Sequence, residues 1–382
     1  MASLLGIGRS TSQDTAYRTP PSVTPDKPMA LPYEIRSETT LLDFSNPINP
    51  LGPPPEFVQA MHTALVNGEL SYLPDRDGRA FRLALASMLG VSPDCVLLGS
   101  APTQLMTYAA MAFELTRVGV DTPCVPEFLA AMSNAGHEVV ELSNNITFAA
   151  PDAYLARERF GEFGGAVLGN PSYPASRLLT RRVLTQYLEM CDWVIVDESN
   201  IELAWGTAES MVDMTAKYPN LIIVRNPSTT FGIPGIPISC LVSHAETIET
   251  IAQFYDGSDI NMFAEVLSGE MQLSTDYLDR THDFLDEEIP WMQGYLNLIP
   301  GIRVNTAEAN YVLCEFCPED LSGVNVSSCR ELVTKLQVAG FYVQPLYDTP
   351  GLSGNSHFCV SLRTREDNQR LLFALRSVIC GE

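Results

Sequence analysis

Trp193-Val-Ile-Val-Asp-Glu198 is an apolar run of four residues closed by two acids. A run this short, with no polar alternation, suits a strand covered on both faces. Working outward, the pattern repeats. The periodic stretch at 178–189 reads as a helix and Ala166–Leu168 as a strand before it, while Leu221–Val224 and Ile238–Val242 read as strands after it. Nearer the N-terminus, Val96–Leu98 and Val139–Leu142 read as strands, with helices at 102–116 and 127–135. Short strands alternating with helices indicate an α/β layered fold with a mainly parallel sheet. Ligands in such folds sit beyond the C-terminal ends of the strands, which makes Asp197 the first candidate site residue.

The rest of the chain divides around this region. Residues 1–38, rich in Ser, Thr and Pro and without a sustained period, read as an N-terminal arm, 39–285 as a large α/β domain and 286–382 as a small α+β domain. Pro53-Pro54-Pro55 opens a helix whose apolar residues Phe57, Ala60, Met61, Ala64 and Leu65 recur at helical spacing, and a second helix is expected at 79–89. A long helical region at 262–288 leads to strands at 302–305, 310–316, 340–344 and 357–362, with helices at 326–338 and 365–379.

Composition excludes several classes. The 382 residues carry a formal charge of −23 and a pI near 4.5, which argues against a nucleic-acid partner, since phosphates are neutralised by lysine and arginine. No apolar run approaches the ~20 residues of a membrane span, and no signal-peptide pattern precedes the fold, so a cytoplasmic protein is expected and the N-x-S/T matches at Asn145 and Asn325 read as idle. The nine cysteines are odd in number and scattered through apolar runs, as reduced thiols are. Cys314-Glu-Phe-Cys317 is a lone pair without a second pair or a nearby histidine, so no metal site is expected.

Leu42-Asp-Phe-Ser-Asn-Pro-Ile-Asn-Pro-Leu-Gly-Pro53 is the most specific string in the chain. It resembles the opening segment of the threonine-phosphate decarboxylases of cobalamin synthesis and of the histidinol-phosphate aminotransferases, members of the class I/II group of fold type I pyridoxal-phosphate enzymes. The resemblance continues in order through Ser71-Tyr-Leu-Pro-Asp75, Leu98-Gly-Ser-Ala-Pro-Thr103, Gly169-Asn-Pro-Ser172, Ile195-Val-Asp-Glu198, Val224-Arg to Gly235, and Ser361-Leu-Arg-Thr-Arg-Glu-Asp-Asn368, covering roughly residues 40–380. It implies the three-layer, mainly parallel sheet of that fold with a small C-terminal α+β domain. It also implies a homodimer whose sites are shared across a two-fold interface, and a small amino-acid or amino-phosphate ligand.

Carried over residue by residue, the resemblance implies that Asp197 pairs with the pyridine nitrogen of the cofactor. Asn170 would bond the ring hydroxyl, Phe128 stack on the ring, and Tyr72 reach the phosphate of the neighbouring subunit's site, with Asn49 near the substrate. The same residue types have ordinary roles as helix caps, turn formers and core.

The reactive positions depart from the pattern. Arg225-Asn-Pro-Ser-Thr-Thr-Phe-Gly-Ile-Pro-Gly235 sets a register in which Thr229 falls where the family has its lysine, and a hydroxyl cannot form the imine that this chemistry requires. The chain's lysines, Lys27, Lys217 and Lys335, lie elsewhere in the sequence. The arginine that clamps the phosphate is replaced by Pro237. The phosphate cup at a helix N-terminus becomes Ala101-Pro102-Thr103, leaving Asn226 and Ser228 as further groups able to bond a phosphate oxygen. The arginine for a substrate carboxylate falls at Cys359, with Arg363 on the same strand face about 13 Å further along at ~3.3 Å per residue. None of the five histidines is adjacent to the expected site, although His357 begins the strand of Cys359. Two readings follow: a divergent enzyme that binds pyridoxal phosphate or pyridoxamine phosphate non-covalently and works by an atypical route, or a catalytically inactive dimeric binding or regulatory protein, for which no cofactor is required.

Overall fold

Among the described residues, seven strands form the larger sheet: β2 (Val96–Gly99), β3 (Arg117–Thr122), β4 (Glu138–Ser143), β5 (Gly165–Gly169), β6 (Trp193–Asp197), β7 (Leu221–Arg225) and β8 (Ser239–Val242). Their spatial order is β2-β8-β7-β6-β5-β3-β4, and only β8 runs against the others. The computed structural model describes residues 41–143, 163–206, 208–255, 257, 260–271, 275–320, 326–352 and 354–381. The arm at 1–38 and the sequons at Asn145 and Asn325 lie outside them.

Strand β6 shows why the sheet is layered. Its Val194 and Val196 join one core cluster, whereas Trp193 and Ile195 join another. Helices cover both faces. One side carries α1 (Pro55–Val66), α2 (Arg79–Leu89), α5 (Arg181–Leu188) and α8 (Met262–Leu267), and the other carries α3 (Pro102–Met111), α4 (Pro126–Asn134) and α7 (Ala245–Ala252). Each fully buried aliphatic side chain contributes on the order of 1.5–3 kcal/mol, so a central strand apolar on both faces anchors the fold.

The second sheet has the order β1 (Leu42–Phe44), β11 (Phe341–Pro345), β12 (His357–Ser361), β10 (Tyr311–Phe316) and β9 (Ile302–Val304). Helices α10 (Cys329–Val338), α11 (Arg365–Cys380) and the 22-residue α9 (Thr275–Leu296) pack on it. The short α6 (Pro227–Thr230) follows β7. Leu41–Glu382 forms one compact unit. No helix among the described residues is long and apolar enough to cross a membrane.

Several elements differ from the sequence expectation. The helix expected at 102–116 stops at Met111, and β3 follows where no strand was read, because Arg117, Gly119 and Asp121 interrupt its apolar residues. Parallel ladders to β4 and β5 hold it in place. The helical region 262–288 is two helices, and α9 continues through Pro290 to Leu296. Its buried Leu285, Ile289, Met292 and Leu296 anchor both flanks of the proline in the core, which offsets the lost backbone hydrogen bond. Leu42–Phe44, placed by the sequence with the large domain, pairs in parallel with β11 of the C-terminal sheet. Helix α7 was not anticipated.

Candidate active site

Asp197 closes β6 between Gly169 of β5 and Val224 of β7. Its carboxylate accepts from the backbone N–H of Ser199 at 3.1 Å and from the Ser199 hydroxyl. Burial raises its pKa to about 6, against the lowering effect of these bonds. The turn after β5 lies alongside, since the Asn170 N–H donates to the Asp197 carbonyl at 2.8 Å. At Gly169 a side chain is excluded, because an added Cβ would lie 2.6 Å from the Ser172 Cα.

Beneath this strand end lies a buried ionic network. Arg225 pairs with Glu198 at 3.1 Å and with Glu202. Glu198 also accepts from Asn170 Nδ2 (2.9 Å), the Ser210 hydroxyl (2.7 Å) and the Met211 N–H (2.7 Å). The Thr230 hydroxyl donates to Glu202 at 3.1 Å. Buried charges persist only when paired and hydrogen-bonded in this way. Asn170 is fully buried, and its amide is occupied: Nδ2 bonds Glu198 and the Glu209 carbonyl (3.3 Å), and Oδ1 accepts from Leu179 N–H (3.0 Å). Its side chain holds the turn through these bonds.

The two most distinctive sequence segments pack together. Asn49 N–H donates to the Thr229 carbonyl (3.1 Å), and Asn49 Nδ2 to the Thr230 carbonyl and the Thr281 hydroxyl (both 2.9 Å). Gly232, at φ +64°, abuts Gly52 so closely that an added Cβ would sit 2.8 Å from its carbonyl carbon. Ser228 Oγ lies within hydrogen-bonding distance of the Ile236 and Ile238 carbonyls (2.7 and 3.0 Å) and accepts from Ile238 N–H (2.6 Å), which closes the loop after α6. The Thr229 hydroxyl, partly exposed, makes no hydrogen bond among the described residues. Asn226 stands before α6 with its side chain partly exposed, and Pro237 is exposed.

The remaining expected residues are more scattered. Ala101 precedes α3, which has Pro102 in its first turn and no side-chain cap, and Thr103 is partly buried beside it. Phe128 packs in the core cluster with Val120 and Val224. Tyr72 is 74% exposed in this single chain. Cys359 is fully buried in β12 within an apolar cluster containing Tyr311, Leu313 and Ile201, and burial pushes its thiol up to about 12. Arg363 bonds Asp367 (3.2 Å) and the Asp43 carbonyl (3.1 Å) and lies over the Phe44 ring, tying β1 to α11. Cys314 and Cys317 are both buried, and no cluster of three or more His, Cys, Asp or Glu side chains among the described residues is arranged to hold a metal.

Four contributors were missed from sequence. Tyr173 hydrogen-bonds the Cys359 thiol and sets its ring 5.1 Å from that of Tyr311 in a tilted contact, and its hydroxyl is held well above the ordinary phenol range by burial and then by Cys359. Glu198 and Glu202 gather Arg225; their acidic pattern after a strand was the available signal. His282 sets Nε2 3.1 Å from the Glu202 carbonyl, beside the ionic network. It comes from α9, some 80 residues away, with no local signal.

Comparison with known proteins agrees with this architecture. The model of the family "Aminotransferase class I and II" matches residues 39–375. The histidinol-phosphate aminotransferase of Clostridium acetobutylicum superposes with a TM-score of 0.78 at 24% identity, covering 88% of this chain and 99% of that one. The L-threonine-O-3-phosphate decarboxylase of Porphyromonas gingivalis gives 0.74 at 20%, covering 88% and 98%. The histidinol-phosphate aminotransferase of Sinorhizobium meliloti, solved in complex with pyridoxal-5'-phosphate, gives 0.74 at 19%, covering 90% and 92%. With a mainly parallel sheet flanked by helices, an aspartate closing its central strand and a family match spanning nearly all of the described chain, this protein belongs to the class I and II aminotransferase family.

Proposed function

We propose that this chain binds a small amine in the cleft beyond β5, β6 and β7 without a covalent bond to the protein, as a divergent relative that does not follow the lysine-dependent route. The observation that carries this reading is Thr229, in register between Arg225 and Ile233-Pro234-Gly235, with a carbonyl held by Asn49 and a hydroxyl that bonds nothing among the described residues. A hydroxyl can neither form an imine nor serve as an amine base.

Pyridoxal phosphate, the group found with one structural relative, makes three demands, and these residues meet one. Asp197 suits a ring nitrogen: it is an acid at a strand end, supported by Ser199. The phosphate end is poorly met, because Ser228 is occupied within its loop, Pro237 lacks an N–H and Pro102 removes a donor from α3. Asn226, Thr103 and, from a second copy of the chain, Tyr72 are what remain. For the aldehyde end, the described lysines are distant in role: Lys217 bonds Tyr218 and Lys335 pairs with Glu331. A resident, covalently held cofactor does not fit this residue set. What the residues supply is an acid that pairs with a cationic nitrogen and a closed, hydrogen-bonded floor.

The test is an absorbance and calorimetric titration with pyridoxal phosphate and pyridoxamine phosphate of wild type, Asp197→Ala and Thr229→Lys. Wild type is expected to show no imine band and Thr229→Lys to gain one. A strong imine band in wild type, with a lysine adduct found by mass spectrometry, overturns the reading. A second reading, a non-catalytic dimeric binding or regulatory protein, is favoured by the inward engagement of Asn170, Asn49 and Ser228. In both, a homodimer is supported by the exposed apolar run Leu70, Tyr72 and Leu73.

A further inference from the structure

We infer that Ser199 is a positioning residue for Asp197, engaging one carboxylate oxygen, Oδ1, with both its hydroxyl and its N–H so that Oδ2 alone meets the ligand's cationic nitrogen through a single N–H; this deepens and rests on the small-amine reading above. Both donors of Ser199 reach the same oxygen, the N–H at 3.1 Å and the hydroxyl within hydrogen-bonding distance. The N–H bond is the ordinary turn that an aspartate makes with the residue two places on. The hydroxyl bond is not needed to make that turn. The Ser199 side chain is buried, and its hydroxyl bonds nothing else among the described residues.

Asp197 Oδ2 is the free oxygen. It accepts no hydrogen bond among the described residues, yet it is not one of the enclosed atoms left without a partner there, so it reaches open space. Asp197 itself is partly exposed at its strand end. Alternation along β6 puts its side chain on the face of Trp193 and Ile195, the face covered by α3 and α4. Its cross-strand neighbour there is Val224, and Phe128 of α4 packs in the same cluster. Neither side chain offers a hydrogen bond, so a partner for Oδ2 comes from the ligand.

A carboxylate with one oxygen engaged selects among cations. A guanidinium binds best through two parallel N–H bonds, one to each oxygen, whereas an ammonium or a protonated ring nitrogen needs only one. The Ser199 hydroxyl also favours the ionised carboxylate that any such cation requires, against burial and the Glu198 charge, which raise the acid. The other groups around Asp197 leave its charge unanswered. Arg225 of β7 is held by Glu198 and Glu202, and Asn170–Ser172 after β5 carry no titratable side chain. Tyr311 of β10, with Tyr173 and Cys359 behind it, is held above its ordinary range chiefly by burial, as those two are, so all three stay neutral near pH 7. Cys124, in the cluster of α4, is likewise pushed up to about 12 by burial first. Ser45 makes the same pair of bonds to one oxygen of the exposed Asp43. The geometry therefore follows from the two-residue spacing, and at Asp197 it sets the remaining oxygen at the end of a central parallel strand.

Carbon-13 NMR of the full chain labelled at aspartate Cγ tests this, with the Asp197 signal identified by its loss in Asp197→Asn. Ser199→Ala is expected to raise the midpoint of Asp197 ionisation by about one pH unit. Ser199→Thr, which keeps the hydroxyl, should restore it to within about half a unit, and Ser45→Ala should leave it unmoved. Calorimetric titrations with n-propylamine and n-propylguanidine, both cationic near neutral pH, give the second readout. The amine is expected to bind several-fold tighter than the guanidine to wild type. Ser199→Ala should lose about threefold in amine affinity near pH 6.5 and regain it near pH 8.5, a recovery that a merely structural role does not produce. A midpoint that Ser199→Ala does not raise, a loss that higher pH does not restore, guanidine binding as tight as the amine, or binding of neither overturns the assignment. The parent reading fails separately, by the wild-type imine band with pyridoxal phosphate, and the NMR midpoints are read without any ligand.

Discussion

Asp197 is a carboxylic acid whose ionisation the fold opposes. Its pKa is raised to about 6 from 3.8, chiefly by burial, so the neutral form is the one that folding favours. The stability this group contributes is full below pH 3.8 and is lost as the pH rises through about 6. Asp197→Asn, which keeps an oxygen for Ser199, is expected to be more stable than wild type near pH 8 by about 2–3 kcal/mol at most, because each tenfold change in proton affinity between the folded and unfolded chain is worth roughly 1.4 kcal/mol. Near pH 3.5 the advantage should vanish. Urea denaturation at both pH values checks this, and a difference independent of pH contradicts it. Arg225→Met is the opposite case: it strips the guanidinium from the buried Glu198 and the partly buried Glu202. A loss of about 3–5 kcal/mol is expected, read as a lowered denaturation midpoint, and a change below about 1 kcal/mol would show that the network carries little stability.

At the scale of elements, the segment from β7 through α6 to Gly235 distinguishes structural from free side chains. Ser228 holds the loop through the Ile238 N–H and two carbonyls, whereas the neighbouring Thr229 hydroxyl holds nothing among the described residues. Ser228→Ala is expected to cost about 1–3 kcal/mol, since it leaves a buried backbone donor unpaired, and Thr229→Ala to change stability by less than about 0.5 kcal/mol. Thermal denaturation of both variants decides, and comparable losses would refute the contrast. The same segment shows what was legible. The register of Thr229 followed from Arg225 and Ile233-Pro234-Gly235, but the inward turn of Ser228 depends on carbonyls eight and ten residues on, in a loop with no periodic signal. Strand β6 was read from four apolar residues. Strand β3 was not, because its pairing on both sides stabilises it more than its own composition does.

For the whole molecule, the surface around Leu70, Tyr72 and Leu73 is the proposed meeting face of two copies. Leu73 is 97% exposed and Leu70 64% in the single chain, an arrangement that a monomer in water disfavours. Sedimentation velocity at micromolar concentration is expected to show a dimer, and the double variant Leu70→Asp, Leu73→Asp a monomer. A wild type that sediments only as a monomer, or a variant that remains dimeric, removes this face as the interface.

The amino-acid sequence by itself determined the layered fold, the strand carrying Asp197 and the register that puts Thr229 between Arg225 and Gly235, because apolar periodicity and glycine and proline placement are local properties. It also named the candidate site residues. Only the tertiary structure decided which way they face: Asn170 toward Glu198, Asn49 toward Thr230 and Thr281, and Cys359 beneath Tyr173. Those partners lie 28 to 232 residues apart for the two asparagines, and a side chain's hydrogen-bonding capacity is claimed by whichever buried donor or acceptor packing brings within about 3 Å of it.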